Sequence, residues 1–283
     1  MDALRKLSGK FLKTLLFAAT ASGLAFGVAG AVFADEGPLA AAVHDPARSE
    51  KFVARDVARH PLEELTFFGA APDSTVVEIW PGSGYWSEIL APFLQAHGTY
   101  YVALQGKGQT EKDDAEAENL NTLFRSKVEG DKAAFGKIIE TKLGLGETDI
   151  APAGSADLVL SFRNLHNWME DGFADEAFAA FFRALKPGGV LGLEDHRGQR
   201  DGPQDPAAAD GYVRQDYAIA LAEKAGFVFV GSSEINANPK DTANWPKGVW
   251  TLPPTFRLGD QDRAKYAAIG EADNFVLKFQ KPR

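Results

Sequence analysis

The chain has 283 residues, no cysteine, and a formal net charge of −9 from 30 Lys and Arg against 39 Asp and Glu. The lack of cysteine excludes a disulfide framework and a lipoprotein anchor. An acidic chain repels a phosphate backbone, so nucleic acid is not an expected partner.

The first 34 residues read as a secretory signal. Arg5, Lys6, Lys10 and Lys13 precede an apolar run over 15–33, and Val32-Phe33-Ala34 sets small residues at the two positions a signal peptidase inspects. Cleavage after Ala34 gives a mature protein that starts at Asp35, is periplasmic or secreted, and keeps no stable membrane insertion. The alternative is an uncleaved anchor, since the run approaches the roughly 20 residues that span a bilayer. The remainder, 35–283, carries 26 basic and 38 acidic side chains, a net −12. Its 249 residues suit one domain with a sizeable core.

Residues 47–70 carry helical spacing (Phe52, Val53, Val57, Leu62, Leu65) and end at Phe67-Phe68-Gly69, as an N-terminal helical cap on a sheet would. Strand and helix signals then alternate, which argues for a mostly parallel sheet covered on both faces. A β-branched run over 75–80 is followed by Trp86, Ile89, Leu90, Phe93 and Leu94 at helical spacing. A second strand is predicted over 100–104, a charged helix over 111–128, a third strand over 135–139 and a fourth over 156–162. Phe178, Phe181, Phe182 and Leu185 make a helical stripe that ends in a stop and turn, Lys186-Pro187-Gly188-Gly189. A fifth strand follows over 190–194. The segment 201–210, rich in Pro, Ala and Asp, reads as a surface loop. Val213, Tyr217 and Leu221 mark a helix closed by Gly226, before strands over 227–230 and 274–279. The last two strands are separated by a long insertion over 236–272, where Trp245, Trp250, Phe256 and Arg257 form either an aromatic lid over a small substrate or staples that tie the loop to the sheet.

The most informative stretch is VVEIWPGSGY, residues 76–85. A buried strand ends in an acid, a glycine turn follows, and a helix begins, so a carboxylate and backbone N–H groups converge at the sheet edge. A dinucleotide fingerprint has its glycines first and its acid about 20 residues later. Here Glu78 precedes Gly82 and Gly84, which disfavours a nicotinamide cofactor and suits a ligand with a cationic amine. Two histidine clusters sit at strand ends. Arg163-Asn164-Leu165-His166-Asn167-Trp168 follows the fourth strand, and Glu194-Asp195-His196-Arg197 closes the fifth. A histidine beside a carboxylate is a candidate general base, and an ion pair or helix cap is the plainer reading. His166, Asp195 and His196 also have metal-ligand chemistry, but their spacing matches no recognised zinc signature, and no metal is expected.

The turn resembles the first motif of class I S-adenosylmethionine-dependent methyltransferases, where the acid and glycines surround the methionine part of the cofactor. A closer resemblance is to a bacterial family of predicted, often exported methyltransferases of undefined substrate. It is carried by VVEIWPGSGYWSEILAPFL, SADLVLSFRNLHNWM, ALKPGGVLGLEDHR, GYVRQDYAIALAEKAGF, INANPKDTANWPKGVWTLPP and AIGEADNFVLKF. The resemblance implies a Rossmann-like α/β fold: a seven-stranded, mostly parallel sheet with helices on both faces, the N-terminal cap, and the long insertion before an antiparallel last strand. It implies S-adenosylmethionine held by Glu78, Gly82, Gly84, Tyr85, Gln105 and Asn164, while the acidic chain and the candidate lid point to a small-molecule acceptor. His196 assisted by Asp195, or else His166, would take the acceptor's proton. Two positions depart from the methyltransferase pattern. Trp80 stands where the first glycine usually sits, and Gln105 where an acid usually holds the ribose hydroxyls. With export, these departures motivate the alternative of a binding module that keeps the fold without the transfer.

Overall fold

The computed structural model describes residues 37–283. The signal segment over 1–34 and the start at Asp35 lie outside the described residues. Among the described residues no helix is long and apolar enough to cross a membrane.

Thr75–Ile79 (β1) is buried from its second residue onward, as a central parallel strand with both faces covered must be. Val77 and Ile79 enter one hydrophobic cluster and Val76 the other, which lies on the opposite face. Thr99–Gln105 (β2), Ile138–Leu143 (β3), Ala156–Phe162 (β4), Leu185–His196 (β5) and Val228–Ser233 (β6) follow, then a short Pro246–Val249 (β7) and Asn274–Gln280 (β8). The seven-stranded sheet has the order β3-β2-β1-β4-β5-β8-β6, without β7. Strands β1 to β5 run parallel, and β8 is antiparallel to both of its neighbours, β5 and β6. Strand order reverses between β1 and β4, so a crevice opens beyond their carboxyl ends. This is the architecture expected from the sequence.

Helices cover both faces. Leu165–Glu170, Ala174–Ala184 and Gln215–Lys224 contribute Trp168, Phe178, Phe181 and Ala222 to one cluster. Pro61–Phe68, Ser87–Leu94 and Glu111–Gly130 contribute Phe68, Leu90 and Phe124 to the other. The long charged helix starts at a capping box, in which the Thr110 side chain accepts from the Asp113 N–H and the Asp113 carboxylate from the Thr110 N–H. Gly192 in β5 seats the N-terminal cap on the sheet. A Cβ there would meet Phe68 at 2.7 Å and Leu160 at 2.8 Å.

Four elements differ from the expectation. The N-terminal cap is a series of short helices, Gly37–Val43, Glu50–Val53, Asp56–Arg59 and Pro61–Phe68. A left-handed His60 (φ 40°) breaks the helical phase, so Val53 and Val57 are exposed while Phe52, Leu65 and Phe68 are buried. The third strand is displaced to Ile138–Leu143, because Phe135 closes a helical turn and the strand itself is a polar edge, IIETKL. Lys186-Pro187-Gly188-Gly189 is a bulge within one long strand: Ala156 pairs with Leu185 and Leu158 with Val190. A bulge accommodates a proline that has no N–H to give the ladder. The insertion has its own small core, with Trp245, Trp250 and Phe256 packed on Val249, Leu252 and Tyr266. Of its expected lid residues, Trp250 reaches the crevice.

Candidate active site

A cavity of about 360 Å³ occupies the crevice, lined from β1 by Glu78, from the turn by Trp80 to Ser83 and Tyr85 but not Gly84, from β4 by Arg163, Asn164, His166 and Asn167, from β5 by His196, and from the insertion by Trp250 and Pro253 to Thr255. Glu78 shares its strand face with Val76 and is 1% exposed. Ser87 Oγ donates to its Oε2 at 2.7 Å, and the Tyr100 hydroxyl donates to the same oxygen. Burial pushes the Glu78 carboxyl up to about 7, against the lowering effect of these two hydroxyls. Gly82 (φ 56°) and Gly84 (φ 86°) both adopt the left-handed backbone that the turn requires.

Trp80 adopts the same left-handed backbone (φ 48°). The position retains glycine's conformation without glycine, at a backbone cost of roughly 1–2 kcal/mol. Its indole compensates: Nε1 donates to the Leu143 carbonyl at 3.0 Å, and the ring packs on Trp168 and Phe173 at centroid distances of 6.0 and 5.9 Å. Trp80 also borders a second cavity of about 570 Å³, lined by Gln105 to Thr110 and by Asp171. Gln105 therefore stands at the second cavity, and its backbone is clamped by the amide of Asn121. The Asn164 amide donates to the Ile79 carbonyl at 2.9 Å, joining the ends of β4 and β1. The Tyr85 hydroxyl donates to Asp56 at 2.6 Å, and its ring lies under the Arg59 guanidinium at 4.3 Å. The cation it faces is thus one of the protein's own.

The expected pairing of Asp195 with the His196 ring is not made. Asp195 Oδ1 instead meets His166 Nδ1 at 2.8 Å, and Oδ2 accepts the His166 backbone N–H at 2.9 Å. The reason lies in strand geometry: successive residues of β5 project to opposite faces, so neighbours in sequence cannot pair ring to carboxylate. The ring nitrogen Nδ1 of His196 meets Asn274 Oδ1 at 2.8 Å, and its backbone N–H donates to Asp195. Burial pushes His196 down to about 3, with Arg163 and His166 adding to the effect and Asp195 opposing it, so its ring is neutral near pH 7. Asp195 is itself buried, but His166 and then His196 hold it below the usual carboxylate range. Ligand atoms of His166, Asp195 and His196 lie within 4.8 Å of one another, close enough for one metal ion. Both Asp195 oxygens are however engaged by the two histidines.

Sequence reasoning missed Arg55 and Arg59, and it gave Arg163 no role of its own within its strand-end cluster. Arg55, Arg59 and Arg163 all line the cavity and converge on Glu271. Arg55 binds it through Nε and Nη2 at 2.6 and 2.7 Å, Arg163 through Nη1 at 2.8 Å, and Arg59 Nε stands 3.9 Å away. The i, i+4 spacing of Arg55 and Arg59 in a helical segment was the available signal. Behind them Glu64 and Glu194, both fully buried, share the Asn236 amide at 2.7 and 3.2 Å.

No protein-family model and no curated protein matches the sequence. Solved structures match in fold. A S-adenosylmethionine-dependent methyltransferase from Aquifex aeolicus superposes with a TM-score of 0.52 at 16% identity, over 80% of this chain and 92% of that one. The [4+2]-cyclase SpnF superposes at 0.50 with 15% identity, over 84% of both chains. Phosphoethanolamine N-methyltransferase 2 from Haemonchus contortus superposes at 0.50 with 15% identity, over 85% of this chain and 60% of that one. The chain therefore has the Rossmann-like fold of class I S-adenosylmethionine-dependent methyltransferases. The cyclase is a reminder that one fold hosts several chemistries, so the reaction must be argued from the site.

Proposed function

We propose that the protein transfers a methyl group from S-adenosylmethionine to a small-molecule acceptor bound in the 360 Å³ cavity. The observation that carries this reading is Glu78, a buried carboxylate at the end of β1 beside a left-handed glycine turn. Two hydroxyls hold one of its oxygens and the residue lines the cavity, an arrangement that suits an ammonium group. Glu78, Gly82 and Gly84 would hold the methionine end of the cofactor, and Gln105 its ribose. Asn164 fixes the wall between β1 and β4. The cofactor supplies the methyl group on a sulfonium, and the acceptor's nucleophile takes it as the carbon–sulfur bond breaks.

His166 is the better placed base. Asp195 binds its Nδ1, fixing the tautomer so that Nε2 can receive the acceptor's proton. The neutral His196 ring beside it, at a centroid distance of 5.2 Å, orients the acceptor. Most of the rate enhancement comes from holding the nucleophile in line behind the methyl carbon. We also infer that the protein acts after export, from the n-region charges and the Val-Phe-Ala exit.

Trp80 favours a second reading. Its indole borders both cavities, so a retooled module that binds a smaller ligand in one of them keeps the fold without the transfer. Titration calorimetry with S-adenosylmethionine, S-adenosylhomocysteine and NAD separates the readings. Binding of the first two and not NAD is expected, and binding of none would remove the methyltransferase reading.

A further inference from the structure

We propose that Arg55, Arg59 and Arg163 form an anion subsite in the active-site cavity, and that the methyl acceptor carries a carboxylate or phosphate group held there. The proposal rests on the methyltransferase reading for the word acceptor, and on the arginine cluster alone for the anion.

Three guanidinium groups meet one carboxylate. Glu271 accepts two hydrogen bonds from Arg55 and one from Arg163, and its Oε2 is 3.9 Å from Arg59 Nε. Despite its burial, Glu271 is held below the usual carboxylate range by Arg55 and Arg163, so it stays charged and can neutralise one cation of the three. No side chain of the three arginines hydrogen-bonds any other acid among the described residues: Glu194 accepts from Asn236, Asp195 from His166 and His196, and Glu78 from Ser87 and Tyr100.

Arg59 is the sharpest observation. The residue is 7% exposed, it lines the cavity, and its buried Nε has no hydrogen-bond partner among the described residues. Its guanidinium carbon stands over the Tyr85 ring, 4.3 Å from the centroid, a cation–π contact that uses none of its N–H donors. A buried guanidinium N–H without a hydrogen bond is costly, and a bound oxyanion is the group whose geometry satisfies a planar fork. The surrounding chain sharpens the contrast. With a net charge of −9 the protein repels anions at large, so positive charge gathered at one cavity is a local, focused field rather than a general background.

The same chemistry has two sources, the acceptor and the carboxylate of the cofactor's own methionine, and the test separates them. Inorganic phosphate is titrated calorimetrically into the whole chain, free and saturated with S-adenosylhomocysteine. Phosphate should bind in both states. Arg59→Gln should weaken phosphate binding about ten- to a hundred-fold, the range for charge-assisted hydrogen bonds. Should Arg59→Gln fail to fold for want of its contact with Tyr85, Arg59→Lys keeps the charge and should still lose about tenfold with the planar fork. Loss of phosphate binding on saturation with S-adenosylhomocysteine would assign the arginines to the cofactor and overturn the proposal, as would wild-type phosphate affinity in whichever variant folds. Phosphate binding that depends on Arg59, in a protein that does not bind S-adenosylhomocysteine, would sustain the anion subsite and refute the methyltransferase reading.

Discussion

If Glu78 holds the cofactor's amine, affinity must follow the ionisation of a carboxyl that burial has pushed up to about 7. An ammonium is attracted to the carboxylate and gains nothing comparable from the neutral acid. With half-ionisation near pH 7, the charged fraction falls from about three-quarters near pH 7.5 to about 3% near pH 5.5. Affinity for S-adenosylhomocysteine should therefore drop about 25-fold over that interval, or ~2 kcal/mol. Glu78→Gln removes the titration, so its weaker binding should be flat across the same range. Near pH 7.5 the variant should bind about ten- to a hundred-fold more weakly than wild type. The sign for folding is opposite. The folded pKa lies above the ordinary glutamate value of 4.5, so the native state keeps a proton that the unfolded chain releases, and Glu78 destabilises the fold progressively as pH rises from about 4.5 through about 7. The variant, whose amide oxygen can still accept from Ser87 and Tyr100, should thus melt no lower than wild type above pH 7. Calorimetric titrations at the two pH values supply the affinities, and scanning calorimetry the melting temperatures. A wild-type affinity independent of pH, or a Glu78→Gln variant with the same pH dependence as wild type, would refute the reasoning.

Three further outcomes are expected. Asp195→Asn should lower methyl transfer by about 10²–10⁴-fold with S-adenosylhomocysteine affinity nearly unchanged, because it leaves His166 without the carboxylate that orients its ring; equal turnover on an acceptor found by panel screening would dismiss the dyad. Burial and then the charge of Glu194 raise the Glu64 carboxyl well above its usual range, so the pair loses stability as pH rises through about 7. Glu64→Gln should accordingly show a smaller fall in melting temperature between about pH 6 and about pH 8 than wild type, and an equal fall would contradict the raised Glu64 carboxyl. N-terminal sequencing of protein from its native host should begin at Asp35, and an intact Met1 in a membrane fraction would exclude cleavage.

The strands that form the middle of the sheet were legible because both of their faces are buried: TVVEI and ADLVLSF are near-continuous apolar runs. The edge strand β3 was misplaced because its residues IIETKL face solvent in part and carry no such run. Phe135 supplied a stronger apolar signal a few residues early. Position within the site was legible where it follows from strand ends, as for Glu78, His166 and His196, which all line one cavity. Pairing was not. Adjacency in sequence suggested Asp195 with His196, whereas alternation along β5 and the start of the helix Leu165–Glu170 bring His166 to the carboxylate. Gln105 was assigned to the cofactor from its place at the end of β2, and it borders the second cavity, across Trp80 from the first. Arg55 and Arg59 escaped notice because their meaning depends on Glu271, more than 200 residues beyond them in the chain.

The crowding of indoles around the crevice gives the protein a built-in optical reporter. Three of its five tryptophans, Trp80, Trp86 and Trp250, line the main cavity. Trp250 also stands edge-on to His166 at 6.1 Å, and Arg257 lies over its ring at 4.4 Å. A ligand that enters the crevice displaces water from these rings and changes the charge beside them, both of which alter indole emission. Occupancy can therefore be followed by intrinsic fluorescence in unlabelled protein. Replacing Trp245, which packs edge-on against Tyr266 within the insertion's own core and does not line the cavity, would lower the background.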